Sequence, residues 1–221
     1  KRFGGFHALD GLSFHVSPGE ILGLVGPNGS GKTTAINVIS GLYAPDAGTV
    51  SFQQASVGGM ASHKLVHLGI NRILQVPKPF MSLTVRQNVE VAHTYGNASD
   101  KTLPTADLLE RFHLADVANR PASDLTNVQQ KTLDLVRALA TQPKLLLLDE
   151  LAAGLNPTEL DWSAGEIKAL AQGGLAIIVV EHLMGFIEQI TDRVIVMNAG
   201  KEIFEGTLAV AVTVPEVIEV F

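Results

Sequence analysis

ILGLVGPNGSGKTT, residues Ile21 to Thr34, carries more information than any other part of the chain. The apolar run Ile21 to Val25 suits a buried strand, and the residues after it suit a helix. Between them Gly26, Pro27, Asn28, Gly29, Ser30, Gly31, Lys32 and Thr33 fit the pattern G-x-x-x-x-G-K-[ST]. Glycines at 26, 29 and 31 let the backbone turn its N–H groups inward as an anion nest, and the following helix aims its positive end at the same point. In such a loop Lys32 reaches the β- and γ-phosphates of a nucleotide, and the Thr33 hydroxyl ligates Mg2+. An accidental glycine turn is the plain alternative. A strand before the loop and a helix after it argue against that.

The run Leu145-Leu146-Leu147-Leu148-Asp149-Glu150 supplies the matching half of a nucleotide site. Four aliphatics ending in two acids place the carboxylates at the carboxyl edge of a buried strand, where open α/β sheets bind their ligands. Asp149 would hold Mg2+ through water, and Glu150 would polarise the water that attacks the γ-phosphate. The run Leu175 to Val180 ends in Glu181-His182, which brings His182 to the same edge, able to donate to the γ-phosphate or to position the attacking water. Gln75 follows Asn71 to Leu74, where its amide can contact both metal and water. Taken singly, His182 is as easily a bystander, Gln75 an ordinary loop residue, and the acids merely solvated.

Other apolar runs read as strands at Leu12 to Val16, Thr49 to Phe52, Asn71 to Leu74 and Arg193 to Met197. The runs at Leu145 and Leu175 are apolar on consecutive positions, as parallel strands covered on both faces require. Thr84 and Gln87 have capping-box spacing ahead of a helix over Val85 to His93. Asn156, Pro157 and Glu159 supply an N-cap, an N1 proline and an N3 acid for a helix to about Ala171. Ala106 to Phe112 and Gln129 to Ala140 also read as helices. Val194 to Met197 and Glu202 to Phe204 flank a glycine-containing turn and predict a β-hairpin.

The expected fold is therefore α/β: a P-loop NTPase with a mainly parallel central sheet flanked by helices, an N-terminal antiparallel β region and an inserted helical subdomain. Residues 1–75 and 130–221 would form the nucleotide-binding core, and 76–129 the helical subdomain.

A chain of 221 residues with 46% hydrophobic content can bury a substantial core in one domain. Sixteen basic against 22 acidic residues give a net charge of −6, which does not favour a nucleic-acid partner. No cysteine is present, so disulfides and cysteine metal sites are excluded. No apolar run approaches the roughly 18 residues that cross a bilayer. Any membrane association must come through a partner.

Together these residues resemble the nucleotide-binding subunits of ATP-binding-cassette transporters, in the same order over essentially the whole chain. Phe3, in KRFGG, is similar to the aromatic that stacks on adenine; residues 26–33 to the Walker A motif; Gln75 to the Q-loop; 145–150 to Walker B with its catalytic Glu; and His182 to the switch histidine. The resemblance implies ATP and Mg2+ as cofactors. It implies catalytic roles for Glu150, His182 and Gln75, metal contacts from Thr33, Gln75 and Asp149, and nucleotide contacts from Phe3 and from 26–34, Thr34 included. The phrases RFGGFHALDG, AAGLNP, VVEHLMGFI and FEGT look most like ATPases of branched-chain or related amino-acid importers. Such a subunit lies peripherally on the cytoplasmic face of the inner membrane, driving an integral permease that is served by a solute-binding protein. Two cassettes pair head to tail as a homodimer or heterodimer, and the region near Gln75 to Thr126 meets the permease. Phe3 so near the start implies a first strand upstream.

The chain departs from the family at the signature, usually LSGGQ, which here reads Leu125-Thr126-Asn127-Val128-Gln129. Thr126, Asn127, Val128 and Gln129 would face the partner's nucleotide, and side chains in place of both glycines should crowd that contact. A heterodimer with one efficient and one weakened site is expected. A nucleotide-gated scaffold with little hydrolysis of its own is the alternative. Leu151 stands where the family usually has proline.

Overall fold

In the computed structural model, which describes residues 1–96 and 104–220, a short antiparallel pair opens the chain: β1 (Arg2–Phe3) and β2 (Phe6–His7). Then come β3 (Ile21–Val25), α1 (Lys32–Ile39), the small hairpin β4 (Ser51–Phe52) and β5 (Ala55–Ser56), α2 (Ser62–Leu68) and β6 (Ile70–Ile73). The helices α3 (Val85–Tyr95), α4 (Thr105–Arg111) and α5 (Asn127–Ala140) follow. The remainder alternates: β7 (Leu145–Asp149), α6 (Pro157–Gln172), β8 (Ala176–Val180), α7 (Met184–Ile190), β9 (Arg193–Asn198), β10 (Lys201–Gly206), α8 (Leu208–Ala211) and α9 (Pro215–Ile218). Residues 97–103, within the expected helical subdomain, lie outside the described residues.

The principal sheet has the order β10-β9-β3-β8-β7-β6, parallel throughout except for the antiparallel β9–β10 hairpin. Its inner strands β3, β7 and β8 are buried at every position because both faces are covered. Val25, Leu146, Leu148, Ile177 and Val179 point into a core shared with α3 to α7, while Leu22, Leu24, Leu147, Ile178 and Met197 point into one shared with α1 and α2. Full burial of one such Leu or Val contributes about 1.5–3 kcal/mol.

The helix starts follow from their caps. Reciprocal side-chain and backbone bonds close capping boxes at Thr84/Gln87, Thr126/Gln129 and Asn156/Glu159, each pair satisfying N–H groups that a helix start leaves open.

The run Leu12 to Val16 is not a strand. Leu12, Phe14 and Val16 do turn inward and pack on the α1 side of the sheet, so the alternation reports a half-buried extended segment. It forms no hydrogen-bonded ladder, and burial of one side sets the pattern without one. The segment expected at Thr49 to Phe52 pairs only over Ser51–Phe52, and that expected at Asn71 to Leu74 begins one residue earlier and ends at Ile73.

Candidate functional site

The loop Gly26–Gly31 leaves β3, in the middle of the sheet, and runs straight into α1. Its glycines are required by packing as well as by conformation. Gly26 has φ 142°, and a Cβ there would lie 2.1 Å from the Met197 carbonyl oxygen; at Gly31, φ 107°, a Cβ would lie 2.6 Å from the Ala8 carbonyl oxygen. The Gly200 N–H donates to Ser30 O at 2.9 Å, so the turn between β9 and β10 braces the loop from outside. Lys32 is buried, and its Nζ donates to Gly26 O at 2.7 Å and Pro27 O at 2.9 Å, with Ser30 Oγ at 3.4 Å. Burial pushes the Lys32 ammonium pKa down, and the negative charges of Glu150 and Asp149 oppose that shift.

The acids at the end of β7 come to the same edge, since Asp149 is paired with Val180 of β8, and β8 lies directly beside β3. Asp149 is buried, and its Oδ2 accepts from Arg72 Nη2 at 2.7 Å. Arg72 also donates through Nη1 to Asn37 Oδ1 at 2.5 Å, so one guanidinium from β6 ties the Asp149 carboxylate to α1. Glu150 sits between two other candidates. Gln75 Nε2 donates to Glu150 Oε2, and His182 Nε2 lies 3.2 Å from Glu150 Oε1. Residues from the ends of three strands thus converge on one carboxylate, and Thr33, Gln75 and Asp149 carry side-chain oxygens of the kind hard cations take. Among the described residues no group of three His, Cys, Asp or Glu could cage a metal unaided. The oxygens of Thr33, Gln75 and Asp149 are of the type that suits Mg2+, which is held by few protein oxygens together with substrate phosphates.

Phe3 lies apart from these, on the β1–β2 hairpin. It is 44% exposed and packs edge-on against Tyr43, with ring centroids 5.2 Å apart and Lys1 Nζ 5.5 Å above its ring. The segment Thr126–Gln129 starts α5: Thr126 Oγ1 accepts from the Gln129 N–H at 3.2 Å, and Gln129 Oε1 from the Thr126 N–H at 3.0 Å. Asn127 and Val128 take the first two helical positions, Asn127 exposed and Val128 half-buried. Leu151 is buried and lines a cavity of about 380 Å3 with Leu135, Leu155 and Trp162, an apolar setting that suits leucine.

Three charged residues at this edge escaped the sequence reading: Arg72, Lys131 and Glu181. Glu181 is buried, and its Oε1 accepts from the Ala152 N–H at 2.6 Å; burial raises its pKa, a tendency the backbone N–H groups of Ala152 and His182 oppose. The available signal for Arg72 and Glu181 was position, since each lies on or directly after a strand that leads to a candidate residue. Lys131 carried none, because a lone lysine in an amphipathic helix ordinarily reads as solvated.

A sequence profile described as ABC transporter matches residues 9–153. The chain is 34% identical over its whole length to the high-affinity branched-chain amino acid transport ATP-binding protein LivG of Escherichia coli K12, of which it covers 93%. It is 31% identical, with the same coverage of both chains, to the corresponding protein BraF of Pseudomonas aeruginosa. Among solved structures, the ADP conformation of an ATP-binding cassette of an ABC transporter superposes with a TM-score of 0.88 at 31% identity, over 100% of this chain and 94% of that one.

Proposed function

We propose a function on one basis: the chain belongs to the ABC transporter family. It is an ATP-binding subunit of such a transporter and an ATPase. Our further reading is that it powers uptake of branched-chain or related amino acids, as the names of its full-length relatives suggest. It would do so from the cytoplasmic face of the inner membrane, bound to an integral permease and paired with a second cassette. No helix among the described residues is long and apolar enough to cross a membrane. The exposed apolar side chains Leu74, Val76, Phe80 and Met81, on the segment between β6 and α3, suit the contact with the permease.

The observation that carries the hydrolytic part of this reading is the convergence on Glu150. In the hydrolytic step Glu150 takes the role of general base: it accepts a proton from the water whose oxygen attacks the γ-phosphorus, and the bond to the β–γ bridging oxygen breaks as ADP leaves. Gln75 and His182, which both contact its carboxylate, orient it and the water. Lys32 and the backbone N–H groups within 26–34, Pro27 excepted, hold the triphosphate, and Phe3 offers a face to adenine. Mg2+, held by Thr33, Gln75 and Asp149, would neutralise charge on the β- and γ-phosphates. Thr126 to Gln129 would face the nucleotide of the second cassette, with residues 76–129 as a helical subdomain.

The test is to isolate the chain from membranes with its associated proteins and to follow phosphate release. Hydrolysis should rise when leucine, isoleucine or valine is supplied with the cognate solute-binding protein, and Lys32→Ala should abolish it. Hydrolysis indifferent to all three amino acids would remove the cargo assignment, and a chain that never associates with an integral membrane protein would remove the transport role.

A further inference from the structure

The four residues that follow Asp149 leave the sheet edge with their backbone groups gripped by side chains from two other elements. Lys131, in the second turn of α5, directs Nζ at the carbonyls of Ala153 at 2.5 Å and of Glu150 and Leu151, each at 3.4 Å. From the other side Glu181, directly after β8, takes the Ala152 N–H through Oε1 and the His182 N–H, at 3.4 Å, through Oε2. Both side chains are withdrawn from solvent, Lys131 at 8% and Glu181 at 2% exposure. A buried ammonium and carboxylate cost free energy unless their partners are good, so their placement calls for a reason. Glu150 supplies one. Its φ of 53° lies in the left-handed region, a conformation that costs a non-glycine residue about 1–3 kcal/mol and persists only where the surroundings over-determine it.

We propose that Lys131 is a positioning residue for Glu150: by gathering the carbonyls of 150, 151 and 153 around one ammonium, it holds the strained turn that aims the Glu150 carboxylate at Gln75 and His182. Glu181 completes the grip through the intervening amide of Ala152. The inference rests on the assignment of Glu150 to hydrolysis given above. Because Lys131 rides on the helix that begins at Thr126, a shift of the start of α5 moves the carbonyl of Glu150 with it. A single side chain therefore links the segment facing a second cassette's nucleotide to this chain's own base.

The experiment compares wild type, Lys131→Met, Lys131→Arg and Glu181→Gln in the assembled transporter, measuring kcat, ATP affinity, thermal midpoint and amide exchange over residues 150–153. Lys131→Met should lower kcat by about tenfold or more, the size of effect expected when a reacting group is slightly misplaced. It should keep the Kd for ATP within about twofold, since ground-state binding is not its role. Exchange over 150–153 should speed up while that of α5 does not. Lys131→Arg should recover most of the loss, and Glu181→Gln, which keeps an acceptor, should lose less than Lys131→Met. Wild-type kcat in Lys131→Met overturns the proposal, as does joint loss of kcat, ATP affinity and thermal midpoint that arginine does not restore. Should Lys131→Met fail to fold, Lys131→Gln, which retains a donor, carries the same comparison. Should the wild-type assembly not hydrolyse ATP, the ATPase assignment falls, and exchange over 150–153 alone decides: faster exchange supports the contact, and unchanged exchange overturns it.

Discussion

The loop after β3 and the start of α5 are both expected to meet nucleotide, yet the fold polices them differently. At Gly26 and Gly31 the chain itself forbids a side chain, because backbone carbonyls of Met197 and Ala8 occupy the space where a Cβ would sit. At Asn127 and Val128 the backbone is ordinary right-handed helix, capped by Thr126 and Gln129, and nothing within the chain asks for glycine. Any demand for glycine there arises between molecules. A motif enforced by its own fold can be trusted from sequence; one enforced only by a partner can drift while the fold stays intact.

Gly26→Ala tests the first half of that contrast most severely. With φ 142° and a carbonyl oxygen 2.1 Å from the added carbon, the variant should lose on the order of 3 kcal/mol of stability together with ATP binding, as read by thermal unfolding and nucleotide titration. Wild-type affinity would show that the loop relaxes more freely than its packing implies. Glu150→Gln should leave fold and ATP binding in place while slowing phosphate release by about 10²- to 10³-fold, because the proton acceptor is lost.

The second half is sharpened by placing glycine at both 127 and 128. Two glycines at a helix start should cost the isolated chain on the order of 1 kcal/mol, visible as a small fall in the thermal midpoint. Hydrolysis by a homodimer should nevertheless rise. If the rate does not change, side chains at these positions do not crowd the facing nucleotide.

The smallest effect concerns Glu181. An acid whose pKa is raised in the folded chain holds its proton more tightly there than when unfolded, so its stabilising contribution is complete below the ordinary value of 4.5 and is lost as pH climbs through the raised one. Glu181→Gln removes that titration. Its profile of thermal midpoint against pH should therefore be flatter than that of wild type above pH 4.5.

What could be read from the sequence follows the same division. The strand-loop-helix at Ile21 to Thr34, the LLLLDE strand and the capping boxes at Thr84 and Asn156 are local statements, in which neighbouring residues determine one another. The T-x-x-Q cap at Thr126 is equally local, though the missing glycines mask it. Leu12 to Val16 misled because alternation reports burial, whereas a strand also needs a partner, and the partner is not written nearby. Arg72, Lys131 and Glu181 were hidden for a related reason: a charge reads as exposed until tertiary packing buries it, and their partners lie on other elements. The convergence of Gln75, Glu150 and His182 was expected from strand ends; that Gln75 and His182 both contact one carboxylate was not.

The position of β3 has a consequence for the order in which the protein comes into being. Its two sheet neighbours, β8 and β9, begin only at Ala176 and Arg193, and the loop it feeds leans on Met197 and Gly200. The nucleotide motif thus leaves the ribosome well before the strands that shape it, and acquires its form late, since pairings this distant in sequence close late. A nascent chain arrested before residue 193 would contain every letter of that motif and still lack the walls that give it form.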